Sequence, residues 1–229
     1  MLDANMKQQL KAYLENIKQP VELILALDDS KKAQELNSLA NDIVSLSEWV
    51  TRVDYTAEDI RKPQLIVRGV ESNSKMAFAG VPMGHEFTSL VLALLHSGGH
   101  PLKVEPEVIE QIKNLPGEFE FETYVSLSCQ NCPEVVQALN LMAAINPNIT
   151  NTMIDGSVFP DEVSEKNIMA VPSVFVNGQS FAQGCMTVSE ILNKLDSGSA
   201  ERQAKALDNK EPYDVLVVGG GPAGASAAI

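Results

Sequence analysis

Phe119-Glu-Phe-Glu-Thr-Tyr-Val-Ser-Leu-Ser-Cys-Gln-Asn-Cys-Pro133 is the stretch on which the reading of this chain turns. Its first part alternates apolar and polar residues, which predicts a strand. It then turns on the pair Cys129 and Cys132. A helical apolar pattern follows at Val135, Val136, Leu139, Leu141, Met142 and Ile145. A helix N-terminus has unpaired N–H groups and a partial positive charge, which favour an anion. Cys129, at the mouth of that helix, is therefore expected to hold its thiolate more easily than a free cysteine. Cys132 falls one turn further in and is expected to be less exposed. The asymmetry supplies one attacking and one resolving sulfur.

Two other uses of the pair have to be weighed. A Cys-x-x-Cys can be half of a zinc site, but structural zinc takes four ligands. The remaining candidates are Cys185, His85, His96 and His100, and none forms a second ligand pair at the usual spacing. No metal site is therefore expected. Two inert core cysteines fit poorly with the polar neighbours Ser128, Gln130 and Asn131. The redox dithiol is the reading that fits best.

The sequence has 229 residues, 45% of them hydrophobic, enough for one or two cores. Its net charge of -13 comes without basic clusters, which argues against nucleic acid as a partner. It also lacks a polybasic membrane-surface signature. The longest apolar run, Leu90-Val-Leu-Ala-Leu-Leu95, is far short of a membrane span. Residues 1–20 have no apolar signal core. Three cysteines with one close pair argue against a secreted disulfide framework. The cytoplasm is the expected compartment.

The chain repeats itself. Met6, Leu10, Tyr13, Leu14 and Ile17 have helical spacing, and Pro20 stops them. Val21-Glu-Leu-Ile-Leu-Ala-Leu27 predicts a central strand buried on both faces. Asp28-Asp-Ser30 is a turn and a cap. The helix after it puts Ala33, Leu36, Leu39, Ala40 and Ile43 on one face. Strands are expected at 49–55, 63–67 and 75–79, then a strongly apolar helix at 86–97 and a shorter one at 105–114. After that the order returns. Val21–Leu27 answers Phe119–Leu127. Val50-Thr51 with Asp54 answers Ile149-Thr150 with Asp155. Lys62-Pro-Gln-Leu-Ile-Val67 answers Val171-Pro-Ser-Val-Phe-Val176, and Phe78-Ala-Gly80 answers Phe181-Ala-Gln-Gly184. Each half is strand, helix, strand, then a hairpin and a final helix. The βαβ part demands a right-handed crossover and a parallel pair. The first half has Asp28-Asp-Ser30 where the second has its cysteines.

A Cys-x-x-Cys at this place in such a unit is thioredoxin-like. In that family the proline matching Pro172 is cis and faces the dithiol. It leaves a backbone edge free to pair with an extended segment of the partner. A plain strand-start proline is the competing reading of Pro172. Asp155, at a strand end, reads as a turn former. Cys185 has no assigned role, and the histidines read as surface or helix-end residues.

From Ser197 the composition changes to a flexible hinge plus an exposed helical stretch reaching Glu211. Tyr213-Asp-Val-Leu-Val-Val218 predicts a strand, followed by Gly219-Gly-Gly-Pro-Ala-Gly224. Gly219, Gly221 and Gly224 form Gly-x-Gly-x-x-Gly between a strand and a helix, where a dinucleotide pyrophosphate can approach the backbone. The expected class is α/β. Two tandem thioredoxin-like folds, each a mixed central sheet flanked by helices, occupy 1–100 and 101–196. A linker spans 197–211. Residues 212–229 read as the truncated start of a Rossmann-type FAD domain, so the chain is expected to be a fragment of a longer flavoprotein.

Over its whole length the chain resembles the amino-terminal region of the flavoprotein subunit of bacterial alkyl hydroperoxide reductase. The resemblance rests on Gly84-His-Glu-Phe-Thr-Ser-Leu-Val-Leu-Ala-Leu-Leu95, Gly98-Gly-His-Pro101, Phe119-Glu-Phe-Glu-Thr-Tyr124, Ser126-Leu-Ser-Cys129, Asn131-Cys132 and Gln137-Ala-Leu-Asn-Leu-Met142. It implies that electrons pass from NADH to FAD, then to a dithiol in the flavoprotein body. From there they would reach the redox-active disulfide Cys129–Cys132, and finally the disulfide of a peroxiredoxin partner. FAD and NADH would belong to the full-length parent, a homodimer, and not to this fragment. The resemblance also assigns Glu86, of the Gly-His-Glu-Phe motif, as proton acceptor for the resolving thiol. The competing reading of Glu86 is a favourable charge at the first turn of its helix. Two other functions stay open on the residues alone: a docking module with incidental cysteines, and a general disulfide reductase without a dedicated partner.

Overall fold

The structure, a computed structural model, describes residues 2–57 and 59–195. The expected linker and the glycines Gly219, Gly221 and Gly224 lie outside the described residues.

The first half begins with α1 (Ala4–Leu14), capped by the Asp3 carboxylate, which accepts the Met6 N–H. Next come β1 (Val21–Ala26), α2 (Lys31–Val44), β2 (Val50–Asp54), β3 (Gln64–Gly69) and β4 (Lys75–Ala79). Ser30 caps α2 by accepting the Ala33 N–H at 3.1 Å. The buried residues of α2 are Ala33, Leu36, Leu39, Ala40 and Ile43, the stripe its periodicity predicts. A single 3-10 turn, Gly84–Glu86, leads into α3 (Phe87–Ser97). The second half repeats the plan with α4 (Pro106–Lys113), β5 (Phe119–Val125), α5 (Cys132–Ile145), β6 (Ile149–Asp155), α6 (Pro160–Glu165), β7 (Ser173–Val176) and β8 (Gln179–Gln183). Residues 188–195 are helical.

The crossover pairs β1 with β2 and β5 with β6 are parallel, and the hairpins β3–β4 and β7–β8 are antiparallel. The last hairpin turns on Asn177 and Gly178, with φ of 49° and 77°. Such left-handed pairs match the twist of two-residue hairpins. One junction was not expected. β4 pairs in parallel with β6, Met76 opposite Asn151 through Ala79 opposite Ile154. The two halves therefore share one eight-stranded sheet, in the order β2-β1-β3-β4-β6-β5-β7-β8. Residues Met1–Leu192 form one compact unit.

The junction explains two sequence features. Met76, Ala77, Phe78 and Ala79 are all buried, because β4 is an interior strand covered on both faces. α3 packs against β3 on one side and α5 on another, so most of its residues are buried. Each fully buried leucine there contributes roughly 2 kcal/mol of transfer free energy. β1 departs from expectation: Val21, Leu23 and Leu25 are buried, but Glu22 and Ile24 are only half covered. Glu22 faces Arg68 across the β1–β3 ladder, and the guanidinium Nε donates to its carboxylate at 2.8 Å.

Candidate functional site

β5 stops at Val125, two residues before the expected strand end, and residues 126–131 form a turn into α5. The Cys129 N–H donates to the Ser126 carbonyl at 2.9 Å, which sets the turn. Cys129 and Cys132 are joined as a disulfide with their Cα atoms 5.5 Å apart. Cys129 is half-buried, whereas Cys132 is fully buried as the first residue of α5. The helix opening is unusually bare. Asn131 gives no side-chain cap, and Pro133 has no N–H to offer. The Cys132 N–H donates instead to Cys129 Sγ, at 3.1 Å. The attacking sulfur thus occupies the place of the missing cap, at the positive end of the helix dipole.

Glu86 reaches this helix from the other half of the chain. It ends the 3-10 turn, which packs on α5, and its side chain is fully buried. Neither carboxyl oxygen has a hydrogen-bond partner in the fold. Burial pushes its pKa up to about 7; the nearby Ser89 hydroxyl opposes the rise without a well-formed bond. Ser89 Oγ accepts instead from Gln137 Nε2 of α5, at 3.3 Å. The His85 N–H donates to the Leu127 carbonyl at 3.3 Å, tying the 3-10 turn to the loop that leads to Cys129. Glycine is needed beside it: φ at Gly84 is +60°, and a Cβ there would stand 2.8 Å from the Leu127 oxygen.

The Val171–Pro172 peptide is cis, and so is its counterpart Lys62–Pro63 in the first half. The Pro172 carbonyl accepts the Gly184 N–H at 2.8 Å. The next residue, Cys185, donates its S–H to the Asn131 carbonyl at 3.3 Å. Pro172, Cys185 and the Cys-x-x-Cys loop are therefore linked in space. Met169, 91% exposed, and Val171 stand beside the proline.

The remaining candidates fall away from this cluster. Asp155 accepts from the N–H and hydroxyl of Ser157, the role of a turn former. Asp28 accepts the Ser30 N–H in the cysteine-free counterpart loop. His96 corrects the reading of the histidines as surface groups. It lies in the last turn of α3, but its Nδ1 is buried without a partner, and burial, with His100 adding, lowers its pKa to about 4. The sequence had no signal for Cys185 near the dithiol, since its partner lies 54 residues away. Among the described residues, no cluster of histidine, cysteine and carboxylates could hold a metal, and no helix is long and apolar enough to cross a membrane.

Residues 120–196 match the model of the thioredoxin domain family. The whole chain is 58% identical to the alkyl hydroperoxide reductase flavoprotein AhpF of Pseudomonas aeruginosa, over 44% of that relative's length. It is 55% identical to AhpF of Escherichia coli, again over 44% of the relative. The chain thus spans less than half the length of the curated relatives it matches. Among solved structures, the NTD N/C domain of AhpF from Enterococcus faecalis superposes with a TM-score of 0.78. It is 30% identical, over 85% of this chain and 100% of that one. A protein disulfide oxidoreductase from Aeropyrum pernix shares the fold, with a TM-score of 0.75 at 22% identity over 88% and 96% of the two chains. Paired thioredoxin-like halves with a single disulfide agree with these likenesses, and the chain belongs to the AhpF family of alkyl hydroperoxide reductases, whose amino-terminal region it matches.

Proposed function

We propose that this chain is the electron-carrying thiol–disulfide arm of an NADH- and FAD-dependent peroxiredoxin reductase. The observation that carries the reading is the asymmetry of the pair: Cys129 is accessible and bonded to the helix-opening N–H, while Cys132 is buried behind it.

In the reduced arm, the Cys129 thiolate attacks one sulfur of the peroxiredoxin disulfide. A mixed disulfide forms, and the partner's other sulfur leaves as a thiolate and takes a proton. Cys132 then gives its proton to the Glu86 carboxylate and attacks Cys129 Sγ. The Cys129–Cys132 bond forms, the second partner thiol is released, and two electrons have moved. A buried carboxyl with an affinity for protons near neutrality is suited to that acceptor role. Pro172 flanks the dithiol and presents a backbone edge to an extended partner segment.

The first half, residues 1–100, carries no dithiol of its own and serves by delivering Glu86. The second, 101–196, carries the redox pair. Residues 197–211 act as the tether, and 212–229 open the FAD domain, with Gly219, Gly221 and Gly224 on the pyrophosphate. The setting is the cytoplasm, in a homodimeric parent.

Replacing Cys129 with serine in the full-length flavoprotein tests the reading. NADH-dependent reduction of the peroxiredoxin should stop while flavin reduction by NADH continues. Undiminished transfer to the peroxiredoxin would overturn it. Titration of free thiols with and without reductant separates this from a docking role, which predicts a pair that never cycles. A reversible pair should have a potential of roughly −200 to −270 mV.

A further inference from the structure

The peptide group joining Asn131 to Cys132 is hydrogen-bonded at both ends by two different cysteines. Its carbonyl accepts the Cys185 S–H at 3.3 Å, and its N–H donates to Cys129 Sγ at 3.1 Å. The peptide is trans, so the two bonds point in opposite directions across one rigid plane. A carbonyl that accepts a hydrogen bond polarises its peptide and makes the N–H on the far side a stronger donor. The N–H in question is the first free donor of α5 and sits at the positive end of its dipole.

We propose that Cys185 is a positioning residue for Cys129: its thiol, held on the Asn131 carbonyl, strengthens the Cys132 N–H that stabilises the Cys129 thiolate. The proposal rests on the reading of Cys129 as the attacking sulfur.

Two features keep Cys185 in that role. Its place is set by the end of the β7–β8 hairpin, where Gly184, at φ +93°, bonds the Pro172 carbonyl. Its thiol stays protonated, and so stays a donor, because desolvation and the neighbouring Glu134 carboxylate push its pKa up. Glu134 lies on the first turn of α5, where an acid favours the dipole but opposes a thiolate beside it. A cysteine placed here is therefore suited to donating a proton in a hydrogen bond and not to exchanging electrons. It is also exposed and is the free cysteine beside the disulfide, so oxidation or alkylation at Cys185 would delete the donor without touching the redox pair.

The test compares Cys185→Ser, which keeps a donor, with Cys185→Ala, which has none. Both variants lack the third thiol, so the ultraviolet thiolate absorbance of the reduced chain reports only Cys129 and Cys132. Below the titration midpoint, the alanine variant should show a thiolate fraction roughly two- to fourfold smaller than the serine variant. Alkylation of Cys129, followed by peptide mass mapping, should slow by the same factor, with wild type close to serine. Cys185→Val, nearer in volume, should behave like alanine and guards against a local collapse. Superimposable titrations of the serine, alanine and valine variants would overturn the proposal. The Cys129→Ser transfer experiment is independent of it: continued transfer there would sink the functional reading, whatever the serine–alanine comparison gives.

Discussion

The backbone N–H of His85 donates to the carbonyl of Leu127, 3.3 Å away, across the junction between the two halves of the chain. The neighbour of His85 is the buried acid Glu86, and Leu127 lies two residues before Cys129. One hydrogen bond between residues far apart in sequence thus fixes the cysteine-free half against the dithiol half. It also accounts for a half that has no cysteines: that half supplies the carboxyl group, the turn that positions it, and the cover over the first turn of α5.

Burial of Glu86 has a thermodynamic consequence. Its carboxyl has an ordinary pKa of 4.5 and a folded one raised to about 7. Between those values the folded state binds more protons than the unfolded one. Stability from this group is therefore full below 4.5 and is lost as pH rises through 7. The shift corresponds to about 3 kcal/mol at most. Glu86→Gln removes the loss. Urea denaturation at about pH 5 and about pH 8 should show wild type losing stability relative to the variant by a large part of that amount. Parallel pH dependences in the two proteins would refute the assignment.

The same substitution tests the chemistry. A glutamine cannot accept the Cys132 proton, so reduction of the peroxiredoxin near neutral pH should slow, by roughly a hundredfold for a lost general base. The inflection near pH 7 in the rate profile should disappear. A rate and a profile like those of wild type would leave Glu86 as a helix-end charge and nothing more.

Gly84→Ala probes the cover. The new methyl group would meet the Leu127 carbonyl oxygen at 2.8 Å, in a backbone conformation that L-residues avoid. The expected loss is about 1–2 kcal/mol for the conformation alone. The turn should also lift from the dithiol loop. In the reduced protein Cys132 should then be alkylated faster than in wild type, with the rate for Cys129 less affected. Unchanged protection of Cys132 would mean the 3-10 turn does not cover it.

Arg61 pins the opposite face. Its guanidinium forks onto Glu162, with Nε at 2.8 Å and a terminal nitrogen at 2.7 Å, and it also bonds Glu122 of β5. Tyr124 donates to Glu162 at 2.7 Å, and Lys166 pairs with Glu122 at 3.2 Å. Burial raises the Glu162 pKa, but the Arg61 and Tyr124 bonds outweigh it and the net shift is downward. That stability is present above the ordinary carboxylate value and is lost as pH falls through the lowered one. Arg61→Ala should strand two partly covered carboxylates and destabilise the fold by about 2 kcal/mol at neutral pH. It should also flatten the acid limb of the stability curve. Chemical denaturation across acid and neutral pH measures both effects.

Patterns confined to one element were legible in the amino-acid order alone. The stripe Ala33, Leu36, Leu39, Ala40 and Ile43 follows from helical period, and Asn177-Gly178 from the geometry of a two-residue turn. The doubled unit was visible for the same reason, because each copy repeats its own local pattern. The buried and the accessible cysteine were legible because a helix start between them places one sulfur inside the helix and one at its mouth.

Only the tertiary structure decided what lies next to what. An edge strand and an interior strand present the same N–H and C=O groups, so the pairing of β4 with β6 could not be read as a specific partnership. The apolar run Met76–Ala79 was its one trace. The proximity of Arg61 to Glu162 and of Cys185 to Asn131 closes over 101 and 54 residues. Contacts at such separations leave no periodic mark on either segment. Glu86 shows the difference most directly. Its residue type and place before α3 were plain from the order of residues, but its raised proton affinity comes from burial at the junction, which exists only once both halves have packed.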